Sequence, residues 1–246
     1  MKKLNLLLII ALIFTGKLIG QEFVKQERLD SVSILFKFGS STIEKQSLII
    51  NRLNKIQIDP NTFVKINAYT DSIGSIIYNN KLASKRLFNA SKIVNNSNLK
   101  YLMIDSLNLN EKRNNTTVND SLYRRVDIIV YKTSNNYQKN TPISLKINFE
   151  GGTDVLLKSS HESLVQLKLA MDMDPSLKIK LQGHVCCSPD QNLSLKRALR
   201  VKRYLINQKI DPSRIFCEGF SNTKNIVPNN SEKNYSINRR VEVVFY

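Results

Sequence analysis

Apolar and polar positions alternate at Val32, Ile34, Phe36 and Phe38, which predicts a half-buried strand. Ser41 and Glu44 fit a capping box, and Leu48, Ile49, Leu53 and Ile56 follow at helical spacing, so a helix is expected until Asp59-Pro60 ends it. A second strand is read over 63–68, a second helix over 82–94, a short strand over 101–106 and a last strand over 126–131. The series then returns. Leu145, Ile147 and Phe149 predict a strand, Ser159 and Glu162 cap a helix through Met173, and Leu177, Ile179 and Leu181 form the next strand. A helix over 193–207 and strands over 215–219 and 241–245 complete it. The predicted fold class is α+β: two tandem two-layer β-α-β-α-β-β domains, each with two helices packed on a four-stranded mixed sheet.

Local landmarks support a duplication. Phe36-Lys37-Phe38 corresponds to Ile147-Asn148-Phe149, Leu82 to Arg86 corresponds to Leu193 to Arg197, and Arg124-Arg125-Val126 corresponds to Arg239-Arg240-Val241, at offsets of 111, 111 and 115 residues. Landmarks that recur in one order point to a repeated domain. The polar stretch 133–142 has the composition of a linker, which places the domains at 28–132 and 143–246.

The N-terminus changes what the charge means. Met1-Lys2-Lys3, the apolar run from Leu4 to Phe14 and the small residues Gly16 and Gly20 form the pattern of a secretory signal peptide over residues 1–20, with cleavage expected before Gln21. An uncleaved membrane anchor is the alternative. Of 37 Lys and Arg, three precede residue 21 and none of the 20 acids does, so the exported chain carries 34 − 20 = +14. Export excludes nucleic acid as the natural partner. The excess charge faces anionic envelope polymers or membrane surfaces, or is a solvated surface with no specific partner.

One segment concentrates chemistry. From Ala68 to Arg86 the chain closes a strand, turns at Gly74 and enters a helix, with a carboxylate (Asp71) and a guanidinium (Arg86) at its two ends. Asp71 and Arg86 could pair only with each other and pin the turn to the helix. Thr70-Asp71, Tyr78-Asn79, Leu82, Ser84, Arg86 and the later Arg124-Arg125-Val126 resemble, in order, the landmarks of the OmpA-like peptidoglycan-binding domain, and the resemblance covers nearly the whole exported chain twice. It implies a binding module that holds the diaminopimelate of the peptidoglycan stem peptide. Asp71 would accept from the ligand's ammonium and Arg86 would grip its carboxylate. Thr70, Asn79 and backbone amides near Gly39 and Ser40 would complete the pocket, and Arg125 would be a pocket wall or a structural brace. A planar fork suits a carboxylate in a way that a Lys ammonium does not. Gly39, Ala68-Tyr69 and Asp105 to Asn108 depart from the family pattern, at the rim of the pocket more than at its centre.

The second copy changes the turn. Cys186 occupies the aspartate position, while Arg197 and Arg240 keep theirs, and the turn is four residues shorter. A thiol offers no fixed negative charge, so this copy is expected to bind diaminopimelate weakly or not at all unless Asp190 substitutes. Cys186, Cys187 and Cys217 are the only cysteines. An oxidising compartment favours a disulfide. The resemblance, which makes the second and third strands neighbours, allows Cys217 to bridge either partner. Three unpaired thiols and a metal set with His184 are the other readings, and no metal is assigned. His161 is read as exposed and incidental. No nucleophile–base–acid set, phosphate loop or H-E-x-x-H occurs, so no enzyme and no cofactor is expected. The expected function is non-covalent peptidoglycan binding, mainly through the first domain, by an exported protein at the cell wall or outer membrane. The alternative is an envelope protein whose domains contact other proteins.

Overall fold

The computed structural model describes residues 22–57, 59–111 and 121–246. The signal-peptide reading and residues 112–120 lie outside them. The first unit contains β1 (Val24–Leu35), α1 (Gln46–Leu53), β2 (Thr62–Thr70), α2 (Ile76–Asn95), β3 (Met103–Glu111) and β4 (Arg125–Asn135). The second contains β5 (Ile143–Leu145), α3 (His161–Met173), β6 (Ile179–Gly183), α4 (Gln191–Asn207), β7 (Ile215–Gly219), α5 (Glu232–Asn238) and β8 (Val241–Phe245). The first sheet has the order β1-β4-β2-β3 and the second the order β5-β8-β6-β7. In both, a central strand pairs parallel with one neighbour and antiparallel with the other.

Several boundaries differ from the sequence reading, each for a local reason. α1 does not use the Ser41–Glu44 box: it begins after Lys45, which adopts φ 52, and no side chain caps it. Glu44 instead pairs with Lys37 on the surface. α2 starts six residues earlier than its apolar spacing suggested, because Ser75 caps it by accepting from the Tyr78 amide at 3.2 Å. Its first turn carries the exposed Ile76 and Ile77, which broke the helical pattern. α5, which has no apolar stripe to announce it, is an addition in the second unit, started by the Ser231 hydroxyl at the Asn234 amide. β4 runs to Asn135, so the expected linker begins as strand. Its Tyr137 stacks on Phe245, with ring centroids 4.0 Å apart.

The two units are packed together. On β2, Val64, Ile66 and Ala68 join the first core with Ala83, Ala90, Ile93 and Val94 of α2. Phe63, on the other face, joins the second core with Phe23 and Val24. α3 touches β1 and β4 of the first sheet as well as α4 of its own unit. Every residue from Leu164 to Met171 is therefore buried, a pattern that a helix shows when apolar layers cover both of its sides. Polar contacts rim this seam: Lys65 Nζ lies 2.9 Å from Glu162 Oε2, and His161 Nε2 lies 2.8 Å from Asp105 Oδ1. His161 is thus not incidental. Asp105 is almost fully buried, and the hydrogen bond it accepts from His161 raises the His161 pKa above its ordinary value.

Candidate functional site

The turn after β2 carries Asp71, the first turn of α2 carries Asn79, and Arg86 reaches the same cluster from the middle of α2. Arg86 has no exposed surface. Its Nε donates to the Ser40 carbonyl at 2.9 Å and its Nη1 to the Tyr69 carbonyl at 3.0 Å, while the guanidinium lies over the Phe36 ring at 4.6 Å. Its Nη2 is buried and has no hydrogen-bond partner among the described residues. Burial pulls the Arg86 pKa down to about 10; Asp71 opposes that shift and Arg124 adds to it. The group therefore stays protonated at neutral pH.

Asp71, 7% exposed, does not salt-bridge Arg86. Its Oδ2 accepts from Arg124 Nη1 at 3.1 Å. Asn79 braces the turn by donating from Nδ2 to the carbonyls of Asp71, at 3.1 Å, and Ile73, at 3.2 Å. Thr70 is buried, with its hydroxyl unpartnered among the described residues. Gly39 takes φ 64, and a Cβ there would sit 3.3 Å from the Tyr78 hydroxyl, so this turn needs glycine for its backbone and has little room to spare. The Ser40 amide is spent on the Lys37 carbonyl at 3.1 Å, so Ser40 contributes its carbonyl to the site and not the amide that was expected.

Arg125 points away from this cluster. It pairs with Asp127 at 3.0 Å, donates to the Leu122 carbonyl and stacks over Tyr69. The residue sequence reasoning passed over is Arg124. Strand alternation contained the signal: Val126, Ile128 and Val130 face the first core, so Arg124 shares their side while Arg125 joins Asp127 on the other. A groove of about 590 Å³ adjoins the cluster between β1 and α1 and shares Ser40 and Arg124 with it.

The second unit repeats the guanidinium and replaces the acid. Arg197 is 1% exposed; its Nε donates to the Thr153 carbonyl at 3.1 Å, its Nη1 to the His184 carbonyl at 3.4 Å, and it lies over Phe149 at 5.1 Å. Gly183 allows α4 this close, since a Cβ would fall 1.8 Å from the Ser194 carbonyl oxygen. Asp190 caps α4 at the Leu193 amide, 2.7 Å away, and does not replace the missing carboxylate. Arg240 is tied to Glu242 at 2.7 Å and to the carbonyls of Asn238 and Lys224, so it braces β8. Burial disfavours the Glu242 charge, yet the approach of His184 Nε2 to 3.4 Å and the 2.7 Å hydrogen bond from Arg240 outweigh it and hold that carboxyl down at about 2. Arg239, not Arg240, faces the turn: its Nη1 is 3.9 Å from Cys186 Sγ.

Cys186 and Cys187 form a disulfide with each other, and Cys217 is the free thiol. The bridge to Cys217 is not made, because Cys217 sits on β7 opposite Leu181, a strand's length from the turn. Among the described residues no group of three or more His, Cys, Asp or Glu could hold a metal ion.

Residues 148–239 match the OmpA family, so the second unit carries an OmpA family domain. The chain is 31% identical over 104 residues to outer membrane porin F of Pseudomonas fluorescens, covering 41% of this chain and 32% of that protein. It is 41% identical over 54 residues to outer membrane protein A of Bordetella avium, covering 22% of this chain and 28% of that protein. It thus spans about a third or less of the curated relatives it matches. Similar solved structures include a MotB-like protein from Desulfovibrio vulgaris, with 24% identity, TM-score 0.38 and coverage of 42% of this chain and 70% of that one. They also include the peptidoglycan-associated lipoprotein from Burkholderia pseudomallei, with 19% identity, TM-score 0.38 and coverage of 41% and 88%.

Proposed function

We propose that this chain, with an OmpA family domain in its second unit, is a non-enzymatic cell-envelope protein that binds peptidoglycan non-covalently, holding the diaminopimelate of the stem peptide mainly through its first unit. We read the first unit as a diverged copy of the second, since both have the same sheet order and a buried guanidinium in the same place. The observation that carries the functional reading is Arg86. Two of its nitrogens are fixed on backbone carbonyls and the third points to nothing among the described residues. A buried donor left unmet costs about 1–3 kcal/mol, which a ligand carboxylate would recover. Asp71, held in place by Arg124 and its own turn, supplies the anion for an ammonium. One fixed cation on α2 and one fixed anion on the turn before it fit the two ends of a zwitterionic amino acid.

A second reading, docking to another envelope protein, draws on the exposed Phe38 in the loop before α1 and Ile76, Ile77 and Tyr78 in the first turn of α2. Purified sacculi separate the two readings. The chain should sediment with them, and Asp71→Asn and Arg86→Gln should leave it in the supernatant. Full retention of both variants would favour the protein-docking reading and reject the pocket.

A further inference from the structure

The vicinal cysteines stand where the first unit keeps its acid, and the surroundings match in detail. Arg197 repeats Arg86: each gives Nε to one loop carbonyl, Nη1 to a carbonyl at the end of the central strand, and its flat face to a phenylalanine. Arg239 repeats Arg124, facing Cys186 as Arg124 faces Asp71. What the second site lacks is a negative charge, since a disulfide is neutral.

We propose that the second unit is a redox-gated site for the same class of zwitterionic ligand, closed while Cys186 and Cys187 share a disulfide and competent once they are reduced and Cys186 offers a thiolate beside Arg239. The inference rests on the functional reading above. The charged groups around the sulfur favour this state. Arg239 supplies a cation 3.9 Å from Cys186 Sγ, whereas Asp190 is occupied as a helix cap and Glu232 is the surface partner of Arg239. His184 is buried and directed toward Glu242. A neighbouring guanidinium lowers a thiol's pKa and burial raises it; the proposed reduced state is the one in which Arg239 prevails and a negative charge stands at the position that Asp71 fills in the first unit.

Access is asymmetric in a useful way. Cys187 is exposed and Cys186 is buried. An external dithiol reductant therefore attacks the Cys187 sulfur, forming a mixed disulfide and expelling Cys186 as the thiolate stabilised by Arg239. The second thiol of the reductant then attacks the mixed disulfide. It leaves as a cyclic disulfide and releases Cys187, which takes up one of the two dithiol protons; the other goes to solvent. Two electrons pass from the dithiol to the cysteine pair. Cys217 stays out of this exchange, because burial raises its thiol to about 11.

The test uses the full exported chain with Asp71→Asn, a shape-conserving change that silences the first unit; Asp71→Ser repeats it. A muramyl tripeptide carrying meso-diaminopimelate is titrated by calorimetry before and after dithiothreitol. Reduction should tighten binding at least tenfold. Adding Cys186→Ser should abolish the response, and adding Cys187→Ser should leave the site open without reductant. An Asp71→Asn chain that binds no better after reduction overturns the inference, as would three free thiols in the unreduced protein. The oxidised wild-type chain keeps the two claims apart: its binding supports the first-unit pocket whatever the reduced variant does, and an unresponsive variant then overturns the second-unit site alone.

Discussion

Phe63 is the side chain that best measures whether the two units act as one body. It lies on the face of β2 opposite the first core, so in an isolated domain it would meet solvent, and Phe63→Ala would change stability little. Here it has no exposed surface, stacks on Tyr131 at 5.9 Å and belongs to the apolar cluster of the second unit. Truncating a buried phenylalanine costs about 3–5 kcal/mol through lost transfer energy and the cavity left behind. A chain this size has a urea m-value of roughly 2–3 kcal/mol/M, so the unfolding midpoint should fall by about 1–2 M urea. The loss should appear in both units, because the cavity opens in the apolar cluster that Phe63 shares with the second unit. Equilibrium unfolding followed by circular dichroism and by tyrosine fluorescence would measure it. A destabilisation below about 1 kcal/mol, within the range of ordinary surface substitutions, would refute the shared core.

Two further outcomes follow from named contacts. The hydrogen bond that His161 Nε2 donates to Asp105 raises the His161 pKa, so this pair stabilises the seam fully below the unfolded histidine value of about 6.5 and loses that contribution as pH rises through the folded value. The urea midpoint should therefore decline as pH rises above about 6.5, and His161→Gln should flatten that slope; an unchanged slope would remove His161 from the seam. Arg124→Ala should weaken muropeptide binding and destabilise the chain by about 3–5 kcal/mol, because it leaves Asp71 buried without its partner. Arg125→Ala, which removes contacts outside the pocket, should leave the affinity unchanged, and titration of both variants checks the contrast.

Strands with strict alternation were legible in the sequence. Val241, Val243 and Phe245 mark β8, and Ile215 to Gly219 is β7 as read. Helix starts were less so, because capping depends on backbone angles that Ser41 and Glu44 do not fix and because Ile76 and Ile77 are exposed. Asp71 and Arg86 were singled out through the family resemblance, while the partner that Asp71 takes in the structure, Arg124, was not. The choice between neighbouring arginines was readable only from strand parity, which puts Arg124 and Arg239 inward. The seam between units was not legible. A strand buried on both faces and a helix buried all round look, in sequence, like ordinary apolar runs, and only Phe63 beside Val64 hints that both faces of β2 are covered. The vicinal bond was also hidden, since three cysteines allow three pairings and composition does not choose among them.

In the proposed pocket Arg86 Nη2 receives a carboxylate and Asp71 an ammonium of the same ligand residue. Replacing the diaminopimelate of a muramyl tripeptide by lysine removes that carboxylate and keeps the ammonium. Calorimetric titration of the oxidised chain should show a loss of about 10–100-fold, the value of one charge-assisted hydrogen bond, and Arg86→Gln should bind the two tripeptides alike. Equal affinity of the wild-type chain for both tripeptides would contradict the account.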